Sequence, residues 1–194
     1  MFESSQRPRE YLWAYSKLPK PPLKVLDIGC GRSNGESGIE DFAKFLCEQG
    51  YDVTGIDIKP ISWRHENFTF RHESITNNSL PSETFDVVVS FQVWHHVGMG
   101  YQLGVPKECQ ERCANGHIIF LNEVHRVLKT NGVAIITTVI EPSLRRDDTR
   151  QFTRETAHNL VVQKGFEVLH EEAITTPNYT LFLLHLRKKE SNHG

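Results

Sequence analysis

Cysteine is scarce in this chain. The four residues, Cys30, Cys47, Cys109 and Cys113, are spaced too irregularly for a disulfide framework and suit a reducing compartment. Long hydrophobic runs are missing as well: no stretch reaches the ~18 uncharged apolar residues of a membrane span. The opening MFESSQRPRE has no apolar segment of the kind a secretory leader needs. Neither sign of charge dominates, since 22 basic residues face 24 acidic ones for a net charge of −2. With a pI near 6.5, a broad basic face for nucleic acid is not indicated, although a local basic groove stays open. Internal repeats and low-complexity tracts are also lacking. These absences together predict a cytoplasmic protein with neither a membrane nor a nucleic acid as partner.

What is present is enough for one core. A chain of 194 residues suits a single domain, and at this size about 70% of the unfolded surface is buried without disulfide or metal staples. No length remains for a separate substrate domain. Residues 1–20 read as a helical N-terminal extension of that domain and 188–194 as a loose tail.

Between these ends, strand and helix alternate. Pro8, followed by Tyr11, Leu12, Tyr15 and Leu18 at helical spacing, predicts a helix over about 6–18, stopped by Pro19. Lys24 to Ile28 reads as a buried strand. A helix over about 38–49 follows, with Ser37 and Glu40 as a capping box and Gly50 as its C-cap. Tyr51 to Ile58, Asn67 to His72 and Phe85 to Val93 read as strands, the last apolar enough to be covered on both faces. A helix over about 117–129 ends at Asn131-Gly132, and a strand runs from Gly132 to Ile140. Thr153 caps a helix to Lys164, and two strands, Phe166 to Ile174 and Tyr179 to Arg187, close the chain around Pro177-Asn178. Such alternation implies a parallel sheet with right-handed crossovers, ending in an antiparallel pair.

The chemistry concentrates at Val25-Leu26-Asp27-Ile28-Gly29-Cys30-Gly31-Arg32-Ser33, where the first strand turns toward a helix. Two glycines let the backbone approach a ligand closely. Asp57 closes the second strand, which in a doubly wound sheet sets a carboxylate beside the first turn, within reach of a ribose diol. A dinucleotide fingerprint asks for G-x-G-x-x-G, but Asn34 stands at the third glycine position and glycine comes one residue later, at Gly35. Asp27 would repel a pyrophosphate and attract an ammonium group. S-adenosylmethionine carries such a group and no phosphate.

VLDIGCGRS at 25–33, YDVTGID at 51–57, FDVVVSFQVWHHV at 85–97 and NEVHRVLKTNGVAIITTV at 122–139 resemble the class I S-adenosylmethionine-dependent methyltransferases, in their small-molecule branch. The resemblance covers most of the chain. It implies an α/β fold with a single Rossmann-like, doubly wound, mostly parallel seven-stranded sheet whose last strand is antiparallel. It further implies that Asp27, Gly29, Cys30 and Gly31 surround the methionine end of the cofactor, while Asp57 and Ile58 hold ribose and adenine. Ser74 and Ile75 would flank the adenine. Glu73 or Ser74 stands where the family carries an adenine-contacting Asp, and Ser33 stands where many members have Gly. Phe91 and Gln92 would line the cofactor site after the fourth strand.

Methyl transfer from a sulfonium is an in-line displacement that chiefly needs alignment and exclusion of water. His95 and His96 lie where open α/β sheets bind ligands, so either is a candidate general base, with a pocket wall or strand cap as the alternative role. Glu123 and His125 read as structural or solvated. Cys109, Cys113 and His117 at i, i+4 and i+8 could face a soft metal, but Asn115-Gly116 interrupts any helix there and no fourth ligand is evident; loop thiols are the plainer reading, and no metal is assigned. Acceptor contacts fall to 98–116 and 141–152, where Arg145, Arg146 and Arg150 stand among Asp147 and Asp148.

The residues after the fourth strand, Ser90-Phe91-Gln92-Val93, are not the Asn/Asp-Pro-Pro-aromatic motif of enzymes that methylate amino groups of DNA bases or glutamine. No Pro-Cys pair of the cytosine-5 type occurs either. The expected acceptor is therefore a small molecule, with a sugar or other hydroxyl as one candidate. So short a chain leaves the acceptor side either open or completed by a second copy in a homodimer. Two further readings stand beside this one: a non-catalytic methyltransferase-like binding subunit, and a nicotinamide-dependent oxidoreductase, which Asp27 and the glycine spacing disfavour.

Overall fold

The computed structural model describes residues 7–31, 40–100, 113–140, 150–176 and 179–190. Their order is α1 (Pro8–Lys17), β1 (Lys24–Ile28), α2 (Asp41–Glu48), β2 (Asp52–Asp57), β3 (Phe68–His72), β4 (Phe85–Phe91), α3 (Gly116–Val127), β5 (Leu128–Ile140), α4 (Arg154–Gln163), β6 (Phe166–Thr175) and β7 (Thr180–Lys188). A single turn of 3-10 helix, Trp94–His96, follows β4. The seven strands form one sheet in the order β3-β2-β1-β4-β5-β7-β6. β1 pairs in parallel with both β2 and β4, while β7 inserts antiparallel between β5 and β6. This is the doubly wound Rossmann-like sheet with a reversed last strand that the family resemblance implied.

Side-chain parity explains why the central strands are apolar throughout. Val25, Val87, Val89 and Ile135 pack into one core with Tyr11 and Ala14 of α1 and Phe42, Phe45 and Leu46 of α2. Leu26, Ile28, Val88, Ala134 and Ile136 point the other way, into a core with Phe120 and Val124 of α3 and Ala157 and Val161 of α4. Successive strand residues face opposite sides, so a strand covered on both sides loses its polar alternation.

Several boundaries differ from the sequence reading. The capping residue of α2 is Glu40, whose N–H bonds the Cys30 carbonyl at 2.8 Å; Ser37 lies outside the described residues. β5 begins at Leu128 rather than Gly132, and Asn131-Gly132 lies inside it. Asn131 takes a left-handed φ of 64°, and the pairing with β4 shifts register between Phe85 and Val87. A turn-forming pair was thus absorbed as an irregularity in a long strand. Thr153 caps α4 as expected, accepting from the Thr156 N–H at 3.0 Å. Pro177 and Asn178 lie outside the described residues, as do 191–194 of the expected tail.

Gly29 carries a tighter requirement than any other position in the turn. Its φ is +77°, its N–H bonds the Ile56 carbonyl at 2.8 Å, and a Cβ there would overlap the side chain of Val93. Gly50 has a similar φ of +87°, but nothing lies within 4 Å of its missing Cβ. Gly50→Ala should therefore cost only the left-handed penalty, about 1–2 kcal/mol. Gly29→Ala should cost clearly more, because the overlap adds to it. Denaturant midpoints of the two variants check this ordering, and equal losses would contradict it.

Candidate functional site

The C-terminal ends of β1, β2, β4 and β5 converge on one crevice, since these strands run parallel and adjacent. A ligand in an open α/β sheet binds there, where the strand order reverses on either side of β1. Asp27, Gly29, Cys30, Gly31, Asp57 and Ile58 are brought together at this place.

The Asp57 carboxylate organises the turn. Its Oδ2 accepts the Gly31 N–H at 2.8 Å, and its Oδ1 accepts the Lys59 N–H at 2.8 Å. A Cβ on Gly31 would come to 2.9 Å from Oδ2, so glycine is required for this approach. Burial raises the Asp57 pKa above its ordinary value, while the two main-chain N–H groups oppose the rise. Gly55 serves the same region. A side chain there would collide with the Cys30 Sγ and the Phe68 ring, which fill the space beneath the turn.

Asp27 is buried at 2% exposure, and its Oδ2 has no hydrogen-bond partner among the described residues. Burial first, then the nearby carboxylates of Glu40 and Asp57, push its pKa up to about 8, against the opposing pull of Arg7. An unpaired carboxyl held among other acids is costly unless a cation completes the site. The same surroundings raise the Cys30 thiol well above its usual range, chiefly by burial.

Contributions from α1 were missed in the sequence reading. The Arg7 Nη1 donates to the Phe91 carbonyl at 2.9 Å, and the Tyr11 hydroxyl donates to Glu40 Oε2 at 2.9 Å. Glu10, at 4% exposure, accepts from the Gln92 amide and the Thr137 hydroxyl. The available signal was a charged residue one turn before Ala14 on the buried face of an amphipathic helix. Phe91 itself packs its ring between Tyr11 and Phe42, with centroids 4.9 Å from each, so its side chain belongs to the core under α1.

On the far side of Asp57, residues 73–80 form a self-bonded turn. Glu73 directs both carboxylate oxygens at Ser79, accepting its N–H at 2.7 Å and its hydroxyl at 2.9 Å, and these bonds lower its pKa. Ser74 shares a hydrogen bond with Thr76 at 2.8 Å, and Ile75 is buried. Glu123 is structural, as read: it pairs with Arg126 at 2.7 Å and accepts from Asn78 at 2.9 Å, while Arg126 donates to the Leu80 carbonyl.

His95 and His96 lie in the short turn after β4, with rings 4.2 Å apart. His95 is buried; its Nδ1 lies 3.1 Å from the Thr138 hydroxyl and accepts the Val139 N–H. A main-chain N–H can only donate, so this 3.4 Å contact favours the tautomer with the His95 proton on Nε2. Burial also holds its pKa well below the usual imidazole range. His96 is the more exposed of the pair.

The feet of the two expected acceptor segments are joined. The Arg150 N–H donates to the His95 carbonyl at 2.7 Å, and its Nη2 donates to the Ala114 carbonyl at 2.9 Å. Ser33, Cys109, Arg145, Arg146, Asp147 and Asp148 lie outside the described residues. Cys113 precedes α3 and His117 stands in its first turn, so these two do not share a helix face.

A family model described as a methyltransferase domain matches residues 2–173. A protein of Mycolicibacterium smegmatis named "probable S-adenosylmethionine-dependent methyltransferase" is 29% identical over 152 residues, covering 74% of this chain and 52% of that protein. A ubiquinone biosynthesis O-methyltransferase of Mesorhizobium japonicum is 33% identical over 123 residues, covering 61% of this chain and 47% of the relative. The chain thus spans about half the length of the curated relatives it matches. Among solved structures, the 1,6-didemethyltoxoflavin-N1-methyltransferase of Burkholderia thailandensis, crystallised with that compound and S-adenosylhomocysteine, superposes with a TM-score of 0.71. Its sequence identity is 19%, with 95% of this chain and 78% of the other covered.

The state of Asp27 makes stability depend on pH. Its folded pKa of about 8 lies above the ordinary value of about 3.9, so the folded chain holds a proton that the unfolded chain releases. The associated stability is full below pH ~4 and is lost as pH rises toward 8, by up to about 1.4 kcal/mol per pH unit. The ligand-free melting temperature should fall between pH 5 and 8, and Asp27→Asn should flatten that fall. Parallel profiles for the two proteins would rule the assignment out.

Proposed function

The chain belongs to the class I S-adenosylmethionine-dependent methyltransferases, and on that premise we propose that it transfers a methyl group to a small-molecule acceptor. The observation that carries the proposal is the buried Asp27 carboxyl, whose unpartnered oxygen lies in an acidic crevice beside a glycine turn. This donor set fits the cofactor: an ammonium group on the methionine end answers Asp27, and Gly29, Cys30 and Gly31 leave the backbone close enough to hold that end. Asp57 and Ile58 then face the ribose. Ser74 and Ile75 flank the adenine, and Glu73 shapes that wall through Ser79 rather than contacting the base. Gln92 borders the cofactor from the end of β4.

When bound, the cofactor supplies an activated methyl group on a sulfonium. The chain's own task is alignment and exclusion of water. α1 lies across the crevice, bonded through Tyr11 to the start of α2 and through Arg7 and Glu10 to the ends of β4 and β5. Of the two histidines, His96 is the one we assign to proton removal, because the Nδ1 of His95 already accepts and its Nε2 carries the proton. His95 serves as a cap on β5. The acceptor side lies beyond β4 and β5, bounded by the turn at Gly98 and by Arg150. We read 1–194 as one catalytic domain, acting in the cytoplasm on a hydroxyl acceptor such as a sugar, with a second copy of the chain completing the acceptor side.

S-adenosylhomocysteine should raise the melting temperature of the purified protein. Asp57→Ala removes the clasp on Gly31, and Gly31→Val drives a side chain into that carboxylate, so both should abolish the rise. Absence of a shift in the wild type would sink the enzymatic reading and leave a non-catalytic subunit.

A further inference from the structure

Glu10 is a carboxylate that neither the sheet nor the cofactor explains. It stands on the inner face of α1 at 4% exposure, and such a group persists only where its oxygens are satisfied. One oxygen accepts from the Gln92 Nε2 and the other from the Thr137 hydroxyl, both at 2.5 Å. The main-chain N–H of Gln92 donates to the Thr137 carbonyl at 2.9 Å and to its hydroxyl oxygen at 3.1 Å.

With Glu10 ionised, every bond in this set has one direction. An ionised carboxylate only accepts, so Gln92 must turn its amide nitrogen toward Glu10. Thr137 has one hydroxyl proton and gives it to Glu10, which leaves its oxygen to receive the Gln92 N–H. Gln92 is further held at a left-handed φ of 56°, unusual for a residue with a side chain and costly unless its surroundings hold it there. It immediately follows β4, at the crevice where strand ends meet ligands. The remaining polar atom of the set is the Gln92 Oε1, which accepts no hydrogen bond from the described residues.

We propose that Glu10 is a positioning residue for acceptor choice: it locks the Gln92 amide so that Oε1 faces the incoming molecule as an obligate hydrogen-bond acceptor. The class selected is a nucleophile that still carries a proton, a hydroxyl or an N–H amine, over a carboxylate or a fully substituted oxygen or nitrogen. This rests on the methyl-transfer reading of the same site. An O–H or N–H directed at Oε1 fixes the orientation of the nucleophile and leaves a lone pair free on another side to attack. A neutral amide is no base. The nucleophile's lone pair makes the new bond to carbon, the pair of the broken carbon–sulfur bond stays on sulfur, and the proton leaves to water or to His96.

The test uses the full chain saturated with S-adenosylhomocysteine and four small probes: phenol, anisole, aniline and N,N-dimethylaniline. Each pair shares a ring and differs in whether the heteroatom retains a proton. Affinities are read from line broadening of the probe's own proton signals, with the Gln92 side-chain amide signal marking the site in the wild type. Phenol and aniline should bind about tenfold more tightly than their capped counterparts, the effect of one hydrogen bond. Glu10→Gln lets the Gln92 amide turn over, and Gln92→Met removes the accepting oxygen while leaving Glu10 in place. Both should bring the ratio to about one. Equal binding of capped and uncapped rings to the wild type, binding of neither, or a ratio that survives in both variants would overturn the inference. The melting shift of the wild type with S-adenosylhomocysteine separates the two levels. Without that shift the methyl-transfer reading fails, whereas a shift without discrimination removes only the role of Glu10.

Discussion

The constraint on which the rest depends is that β1, β4 and β5 must be covered on both faces. Their side chains alternate between the core under α1 and α2 and the core under α3 and α4. With both faces apolar, polar chemistry has nowhere to go along these strands except their C-terminal ends. Parallel pairing delivers those ends to one edge of the sheet. The crevice is therefore a consequence of how the core is buried, and the residues that follow each strand become the residues that can meet a ligand.

At that edge the charge is unbalanced in a useful way. Asp27, Glu40, Asp57 and Glu10 gather at this edge, with Arg7 opposing the rise at Asp27 and Glu10 and Lys59 opposing it at Asp57. Burial raises the pKa of Asp27, Glu10 and Asp57, and neighbouring carboxylates add to the rise at Asp27 and Glu10. A ligand that brings positive charge relieves this cost, which matches a sulfonium cofactor with an ammonium group and does not match a pyrophosphate.

α1 ties this edge to the neighbouring elements. Arg7 at its N-cap, and Glu10 and Tyr11 within it, reach the carbonyl of Phe91, the Gln92–Thr137 pair and Glu40. One short helix and its cap therefore reach both the start of α2 and the ends of β4 and β5. Arg150 ties the turn after β4, at the His95 carbonyl, to the Ala114 carbonyl ahead of α3.

Much of this was legible in the sequence because it is local. Periodicity and turn residues marked each strand and helix, the glycines and Asp27 marked the first turn, and Asp57 was found at the end of its strand. Thr153 announced its helix through cap chemistry that acts within four residues. The exceptions have a shared cause. Asn131-Gly132 looks like a terminator, yet pairing with β4 carried the strand through it. Phe91 looked like a ligand contact, yet the arrival of α1 placed its ring in the core. Glu10 is an ordinary helical glutamate until Gln92 and Thr137, distant in the chain, are brought against it. The sequence by itself determined which segments form strands and helices and where the glycine turn lies, because backbone preference and burial pattern are short-range. Only the tertiary structure decided the strand order, the burial of Asp27 among acids and the contacts of α1, because these depend on which distant segments meet once both faces of the sheet are covered.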